Sequence, residues 1–149
     1  MVNRDIDIIS QISNVELMIS IASLNDNERK ILEPCSSTIK ERLEILSNFS
    51  EIGIKTSVFF GPIYPTIKEK ELIEALDIFD CYNVKEIMLD NLHLKKGIWK
   101  NIQKKLNNHP KLQKEFKKEK FIDNLLINHY YNILKKHTKN KNIKISKAF

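Results

Sequence analysis

The sequence has few of the residues that build several common kinds of functional site. Its 149 residues include two cysteines, Cys35 and Cys81, which are too few for a disulfide framework and cannot by themselves ligate a zinc ion or an iron–sulfur cluster. Three glycines exclude both common glycine-rich phosphate-binding loops. The four histidines share no metal-ligand spacing, so we assign no metal-binding residue.

Apolar runs long enough to cross a membrane are also missing. None approaches the ~20 residues that a spanning helix needs, and residues 1–5 carry no basic-then-apolar signal region. We therefore expect a cytoplasmic protein with no membrane partner. With 42% hydrophobic and 30% charged residues, the composition is typical of one soluble globular domain with its own core.

Charge divides the chain into two parts. Residues 1–94 hold 9 basic and 16 acidic side chains, whereas residues 95–149 hold 16 lysines and three acidic side chains. A cationic surface for nucleic acid would explain this division. Codon bias explains it more simply, because 22 of the 25 basic residues are lysine. We place a domain boundary between residues 94 and 95.

The first part alternates strand and helix. Short apolar runs at 15–21, 54–60 and 84–89 end at small, polar or helix-breaking residues and predict three strands. Capping boxes that begin at Thr38 and Thr66 predict a helix in each gap between them. Gly53 and Asn83 are expected to end these helices. This order predicts parallel strands joined by right-handed crossovers.

Helical patterns flank this unit. A helix is expected around residues 4–12, another over 98–106 and one or two more beyond residue 110, with a frayed end over 137–149. Three parallel strands leave two open edges and a half-covered core. We therefore interpret the segment as a piece of a larger α/β barrel or sheet.

The loops that follow the strands are where a parallel α/β fold places its site. They cover residues 22–37, 61–65 and 90–93, and the first is long for a simple connection. Their hydroxyl, amide and carboxylate groups suit a ligand with ribose hydroxyls, an amine and a carboxylate. They do not form a complete proton-transfer or nucleophilic set, so the catalytic residues stay unassigned.

Several short motifs in this region occur in a recognisable order. They are Arg4-Asp5, Ser20-Ile21-Ala22-Ser23, Leu32-Glu33-Pro34, Arg42-Leu43, Gly53-Ile54 and Gly61-Pro62-Ile63-Tyr64-Pro65. This order resembles the second half of the radical S-adenosylmethionine (radical SAM) core, in the subgroup of spore photoproduct lyase. The similarity covers roughly residues 3–106.

The resemblance implies a partial (β/α) barrel over residues 1–94, made of the last three strands of that core, and a lysine-rich helical extension over 95–149. It implies SAM as a cofactor, cleaved reductively on a [4Fe-4S] cluster so that a 5′-deoxyadenosyl radical abstracts hydrogen. The family's Cys-x3-Cys-x2-Cys motif does not occur in these residues. The cluster would therefore come from an upstream half that is missing or separate.

The resemblance carries cofactor binding over to eight positions: Ser20, Ser23, Glu33, Arg42, Gly61, Pro62, Ile63 and Asn91. Ser20 matches a strand-end residue that contacts SAM, although a small residue that merely closes a strand fits there equally well. Glu33 and Arg42 are expected first to form an ion pair that braces the long loop, and only second to contact SAM. Residues 61–63 match the strand end whose backbone lies along the adenine.

The leading hypothesis is therefore the carboxyl-terminal portion of a radical SAM lyase-like enzyme, which contributes a wall of the SAM and substrate cavity. Its expected partner is an upstream half-enzyme chain, and DNA is the substrate class of the best-known relative. A truncated reading frame, one half of a split enzyme and a relic all fit the missing motif. The alternatives are a non-catalytic module that binds nucleic acid through the basic tail, and an inactive remnant.

Overall fold

The computed structural model describes residues 2–92, 97–116 and 125–148. A 3-10 helix (Val2–Asp5) leads into the short helix α1 (Ile6–Ile9). The strands are β1 (Glu16–Ser20), β2 (Lys55–Phe60), β3 (Glu86–Leu89) and β4 (Lys144–Lys147). The remaining helices are α2 (Asp26–Leu32), α3 (Ile39–Glu51), α4 (Glu69–Cys81), α5 (Ile98–Leu106), α6 (Pro110–Glu115) and α7 (Leu125–His137). His93 and the predicted boundary at residues 94/95 lie outside the described residues.

All four strands are parallel and lie in one sheet in the order β1-β2-β3-β4. This arrangement confirms the predicted α/β class. The expectation that residues 137–149 are frayed is wrong, because α7 continues to His137 and β4 then pairs with β3. Ile143 and Ile145 alternate with polar residues, and both isoleucines are buried. Four residues of such alternation are too short a pattern to stand out from a lysine-rich tail.

One face of the sheet carries the main core. Val58 lies beside Ile87 in the register, and Ile87 lies beside Ile145. These side chains pack against apolar residues of α3, α4 and α7, where Phe60 meets Phe79 edge to face at 5.7 Å between ring centroids. Four strands backed by three helices form a larger core than three strands would.

The start of α3 confirms its predicted capping box. The Glu41 amide donates to the Thr38 hydroxyl at 3.2 Å, and the Thr38 amide donates to the Glu41 carboxylate at 2.7 Å. Gly53 and Asn83 end their helices at positive φ, as expected. The capping box predicted at Thr66 is wrong. Helix α4 begins two residues later, where the Lys68 amide donates to Glu71 at 2.7 Å.

The opposite face of the sheet is polar. Glu86 accepts a hydrogen bond from the Ser146 hydroxyl at 2.7 Å and forms ion pairs with Lys144 at 3.1 Å and Lys55 at 3.7 Å. Lys55 also reaches Glu16 at 2.9 Å across the first pair of strands. The bond from Ser146, together with the two lysines, holds the pKa of Glu86 below its usual value despite burial. These groups satisfy one another, so a charged network centred on the buried Glu86 spans all four strands.

Helices α5 and α6 cover the loop that follows β1. Apolar side chains of these helices pack with Leu32 and Tyr64 in a second cluster, and the Lys105 ammonium donates to the Leu32 carbonyl at 2.5 Å. Lys141 likewise pairs with Asp77 and Asp80 of α4, at 3.0 and 2.9 Å. Lys105 and Lys141 of the lysine-rich segment thus stabilise the fold through intramolecular contacts. Over the described ranges, no helix has the length and apolarity needed to cross a membrane.

Candidate functional site

The carboxyl ends of β1, β2 and β3 meet at one edge of the sheet. The Ile63 amide donates to the Asp90 carbonyl at 3.0 Å, which joins the chain after β2 to the chain after β3. A Cβ atom on Gly61 would lie 2.8 Å from the Asp90 Cβ, so only glycine fits this approach. The absence of a side chain at Gly61 therefore sets the spacing of the two strand ends.

Ser20 lies at this edge on the polar face. Its hydroxyl donates to the Gly61 carbonyl at 3.3 Å, and its own carbonyl accepts from the Arg42 guanidinium at 2.7 Å. The register places Ser20 beside Phe59, and Phe59 beside Met88. Ser20 is exposed, whereas Phe59 and Met88 are half-buried. An exposed hydroxyl and two apolar side chains thus share one level of the sheet.

Glu33 and Arg42 form the predicted ion pair, with 2.9 Å between guanidinium nitrogen and carboxylate oxygen. The other Glu33 oxygen accepts from the Tyr64 hydroxyl at 3.0 Å. Burial raises the pKa of Glu33, but the hydrogen bonds from Arg42 and Tyr64 and the charge of Arg42 outweigh it, so the pKa lies below its usual value. Burial, together with the Glu33 charge, raises the pKa of Tyr64 and keeps the phenol protonated. This triad ties the loop after β1 to α3 and to the loop after β2.

Tyr64 was missed by sequence reasoning as a member of this triad. It falls within a recognised motif, but nothing in the sequence identifies Glu33, 31 residues away, as its partner. A tyrosine between two prolines reads equally well as a core residue, and Tyr64 does pack against Phe116 at 5.5 Å between ring centroids.

The other predicted positions have varied surroundings. Ser23 is buried, and its hydroxyl accepts from the Asn25 amide at 3.1 Å. Ile63 is buried in the core, and Pro62, which follows a cis peptide bond, is half-buried. Asn91 is half-buried just beyond β3. The structure brings Ser20, Arg42 and Gly61 together and places Ser23 in a separate cavity.

That cavity lies between α2 and α4 and has a volume of about 380 Å³. Its polar lining consists of Ser23, Asn25, Glu28, Thr66, Glu71 and Glu74. Sequence reasoning did not single out Glu28, which is only 6% exposed. A glutamate in the first turn of a helix normally faces solvent, so its burial has no sequence signal.

The resemblance implies two cofactors, SAM and a [4Fe-4S] cluster, and the described residues fit SAM in part. Exposed, free Cys35 and Cys81 cannot hold an iron–sulfur cluster, and within the described ranges no three His, Cys, Asp or Glu side chains form a metal site. SAM is a better match, because the polar face offers the Ser20 hydroxyl next to the apolar Phe59 and Met88. Glu33 and Arg42 are already occupied by each other.

No family model matches this sequence. Two uncharacterised proteins are similar in sequence to about half of this chain. ORF301 of Acidianus two-tailed virus is 38% identical over 72 residues, and MJ0683 of Methanocaldococcus jannaschii is 33% identical over 73 residues. These matches cover 48% and 49% of this chain but only 24% and 28% of the two proteins. The matched part of this chain therefore spans only about a quarter of the length of each relative.

Two crystal structures of SuiB from Streptococcus suis share the fold. One is bound to the precursor peptide SuiA and the other to S-adenosylmethionine, with TM-scores of 0.62 and 0.60. Both are 14% identical to this chain, and the matches cover 97% of it and 28% and 29% of SuiB. The described residues therefore share an α/β fold, a partial barrel, with a portion of SuiB.

Proposed function

We propose that this chain forms a wall of the SAM and substrate cavity of a radical SAM enzyme, with the cluster ligands supplied by residues outside these 149. The observation that carries the proposal is the half-open polar face of a parallel sheet whose fold matches part of SuiB over 97% of this chain. Met18, on this face, is 41% exposed although it lies within a strand. An uncovered, partly apolar sheet face is what one side of a barrel interior presents.

SAM would lie against the carboxyl edge of this face. The Ser20 hydroxyl is available to a ribose hydroxyl, and Phe59 and Met88 provide apolar surface for the adenine. Asn91 lies at the same edge and adds an amide. When a cluster is bound elsewhere in the enzyme, SAM supplies the radical that abstracts hydrogen. The residues described here position SAM and separate it from the helices.

Glu33 and Arg42 act in this proposal as positioning residues. Arg42 holds the Ser20 carbonyl at 2.7 Å and so fixes the end of β1. Tyr64 locks the other side of Glu33 and thereby connects the loops that follow β1 and β2. The motif order further favours the spore photoproduct lyase subgroup and a lyase-like reaction, which we include in the proposal on sequence grounds.

Binding of SAM to the full chain tests the wall directly. We expect amide resonances of Ser20, Phe59, Gly61, Met88 and Asn91 to shift in ¹H–¹⁵N spectra as SAM is added. Replacement S20A should weaken the binding about fivefold to tenfold, the amount that one hydrogen bond contributes.

The control is S47A, because the Ser47 hydroxyl bonds Glu51 on α3, away from the polar face. This variant should bind SAM like the wild type. Shifts confined to other regions, or equal affinity of S20A and wild type, would contradict the placement of SAM.

Co-expression tests the dependence on cluster ligands from elsewhere. The partner would be a polypeptide that contains a Cys-x3-Cys-x2-Cys motif, expressed anaerobically with this chain. Co-purification with iron and sulfide, followed by reductive cleavage of SAM, is the expected outcome. A chain that remains alone and free of iron would refute this partnership, whatever the NMR titration shows.

A further inference from the structure

A second polar cavity lies apart from the edge that carries Ser20. We propose that the cavity between α2 and α4 binds an organic ammonium group, with Glu28 as its buried counter-ion. Of the eight residues predicted to bind cofactor, only Ser23 lines this cavity. The core residues Phe60 and Ala75 form its floor, so it opens on the helix-covered side of the sheet and not on the polar face.

The Glu28 side chain is buried, and it has no counter-ion among the described residues. It is 6% exposed, and no side chain or backbone group in the described residues donates a hydrogen bond to it or pairs with it. Burying an unpaired carboxylate is costly, so such groups normally have a cation or donors nearby. A ligand that brings positive charge would supply what Glu28 lacks.

The local backbone explains why Glu28 is free. Asn25 caps α2 and accepts from the Glu28 amide at 3.3 Å, which makes Glu28 the residue whose carboxylate would close a capping box. The Asn25 amide instead donates to the Ser23 hydroxyl at 3.1 Å. Ser23 thus takes the donor that would have satisfied Glu28, and the carboxylate is left to line the cavity.

A second polar group in the cavity also lacks a partner. The Thr66 hydroxyl oxygen is fully buried and makes no hydrogen bond with any group of residues 2–92, 97–116 and 125–148. A buried hydroxyl without a partner is uncommon in folded proteins. Its oxygen would accept an N–H from an ammonium group paired with Glu28.

Two further carboxylates extend the negative charge along α4. One Glu71 oxygen accepts from the Lys68 amide at 2.7 Å, and Glu74 lies 3.5 Å from the Lys70 ammonium. Lys68 itself pairs with Glu115 at 3.8 Å. The lining therefore keeps an excess of carboxylates after these pairings are counted.

The chemistry of the lining favours an organic cation over a metal ion. No three carboxylate, histidine or cysteine groups of the described residues lie close enough together to hold a metal. A volume of about 380 Å³ is also much larger than one ion and falls within the range of small-molecule sites. Several separate carboxylates around a cavity of this size suit a primary amine on an alkyl chain, either a free polyamine or a lysine side chain.

Isothermal titration of the full chain with spermidine tests this proposal. The chain has a formal net charge of +6, so overall electrostatics oppose the binding of a polycation, and binding would report a local site. We expect one spermidine per chain. The E28Q variant, which keeps the shape of the side chain, should bind at least about tenfold more weakly.

The matched control is E44Q, since Glu44 is an exposed carboxylate on α3 that pairs with Lys40 at 3.7 Å. This variant should bind spermidine like the wild type. E28Q should also raise the melting temperature, because it removes a negative charge that has no partner among the described residues and lies beside Glu71 and Glu74. T66V provides a second isosteric test and should weaken binding about threefold or more.

The results separate the sources of the ligand and the competing explanations. Tighter binding of spermidine than of Nα-acetyl-lysine amide would identify a polyamine site, and the reverse would identify a lysine site. Equal binding by E28Q and wild type, no binding at millimolar concentrations, or equally strong competition by Mg²⁺ would overturn the proposal. Displacement of spermidine by SAM would overturn the claim of a second site. If the wild-type chain binds spermidine but does not bind SAM, only the proposed function is refuted.

Discussion

The brace between Glu33 and Arg42 gives the sharpest prediction for stability. The R42M variant removes the guanidinium of a side chain that is 10% exposed and keeps much of the aliphatic stem. It leaves the Ser20 carbonyl without its 2.7 Å donor and Glu33 without its 2.9 Å partner. Breaking a buried pair from one side costs about 3–5 kcal/mol. The Glu33 side chain is 29% exposed, so water compensates in part, and we expect a loss of about 2–4 kcal/mol.

The E33Q variant tests the same brace from the other side. The glutamine oxygen can still accept from Arg42, and its amide nitrogen can donate to the Tyr64 hydroxyl oxygen, so the expected loss is smaller, about 1–2 kcal/mol. R42M and E33Q both remove the same interaction, the ion pair between Arg42 and Glu33. The loss of stability in the double variant should therefore be smaller than the sum of the two single losses, by at least about 1 kcal/mol. Urea unfolding followed by circular dichroism measures all three free energies.

Acid should remove the contribution of Glu33. Its pKa is lowered in the folded state, so the stabilisation is present above the pKa of the unfolded chain and disappears as the pH falls through the folded value. The difference in stability between wild type and E33Q should therefore shrink below about pH 4. The surface control E44Q should lose less than about 0.5 kcal/mol at any pH. Additive single losses, or an R42M loss as small as that of E44Q, would refute the brace.

Three further outcomes follow from the packing. The G61A variant should lose about 1–3 kcal/mol, because its Cβ would lie 2.8 Å from the Asp90 Cβ; unchanged stability in urea would show that the two strand ends separate freely. The I145A variant should lose about 2–4 kcal/mol and the slow hydrogen exchange of β4 amides, whereas fast exchange there in the wild type would contradict a fourth strand. The hydrogen bond from Ser146 is the main cause of the lowered pKa of Glu86, so E86Q should destabilise the chain at neutral pH and much less in acid. A loss of stability that does not depend on pH would contradict the charged network.

Local sequence patterns were enough to predict the order of the elements up to β3 and the chemistry of the strand ends. Strand-length apolar runs, the Thr38 capping box and the helix-ending Gly53 all act over a few residues, so local patterns predict them. The Glu33–Arg42 pair was also predictable, but only through the order of motifs that resembles the radical SAM core. These features depend on neighbours in sequence or on a known spacing.

Which groups have partners depends on the tertiary structure. The partnership of Tyr64 with Glu33 joins two loops 31 residues apart, and β4 finds its place in the sheet through long-range pairing. The Glu28 carboxylate has no partner among the described residues because the Asn25 amide donates to the Ser23 hydroxyl instead. The conformation of the folded loop determines which of the two acceptors this amide reaches. Burial and pairing depend on how the elements pack in three dimensions, and a local sequence pattern contains no record of that.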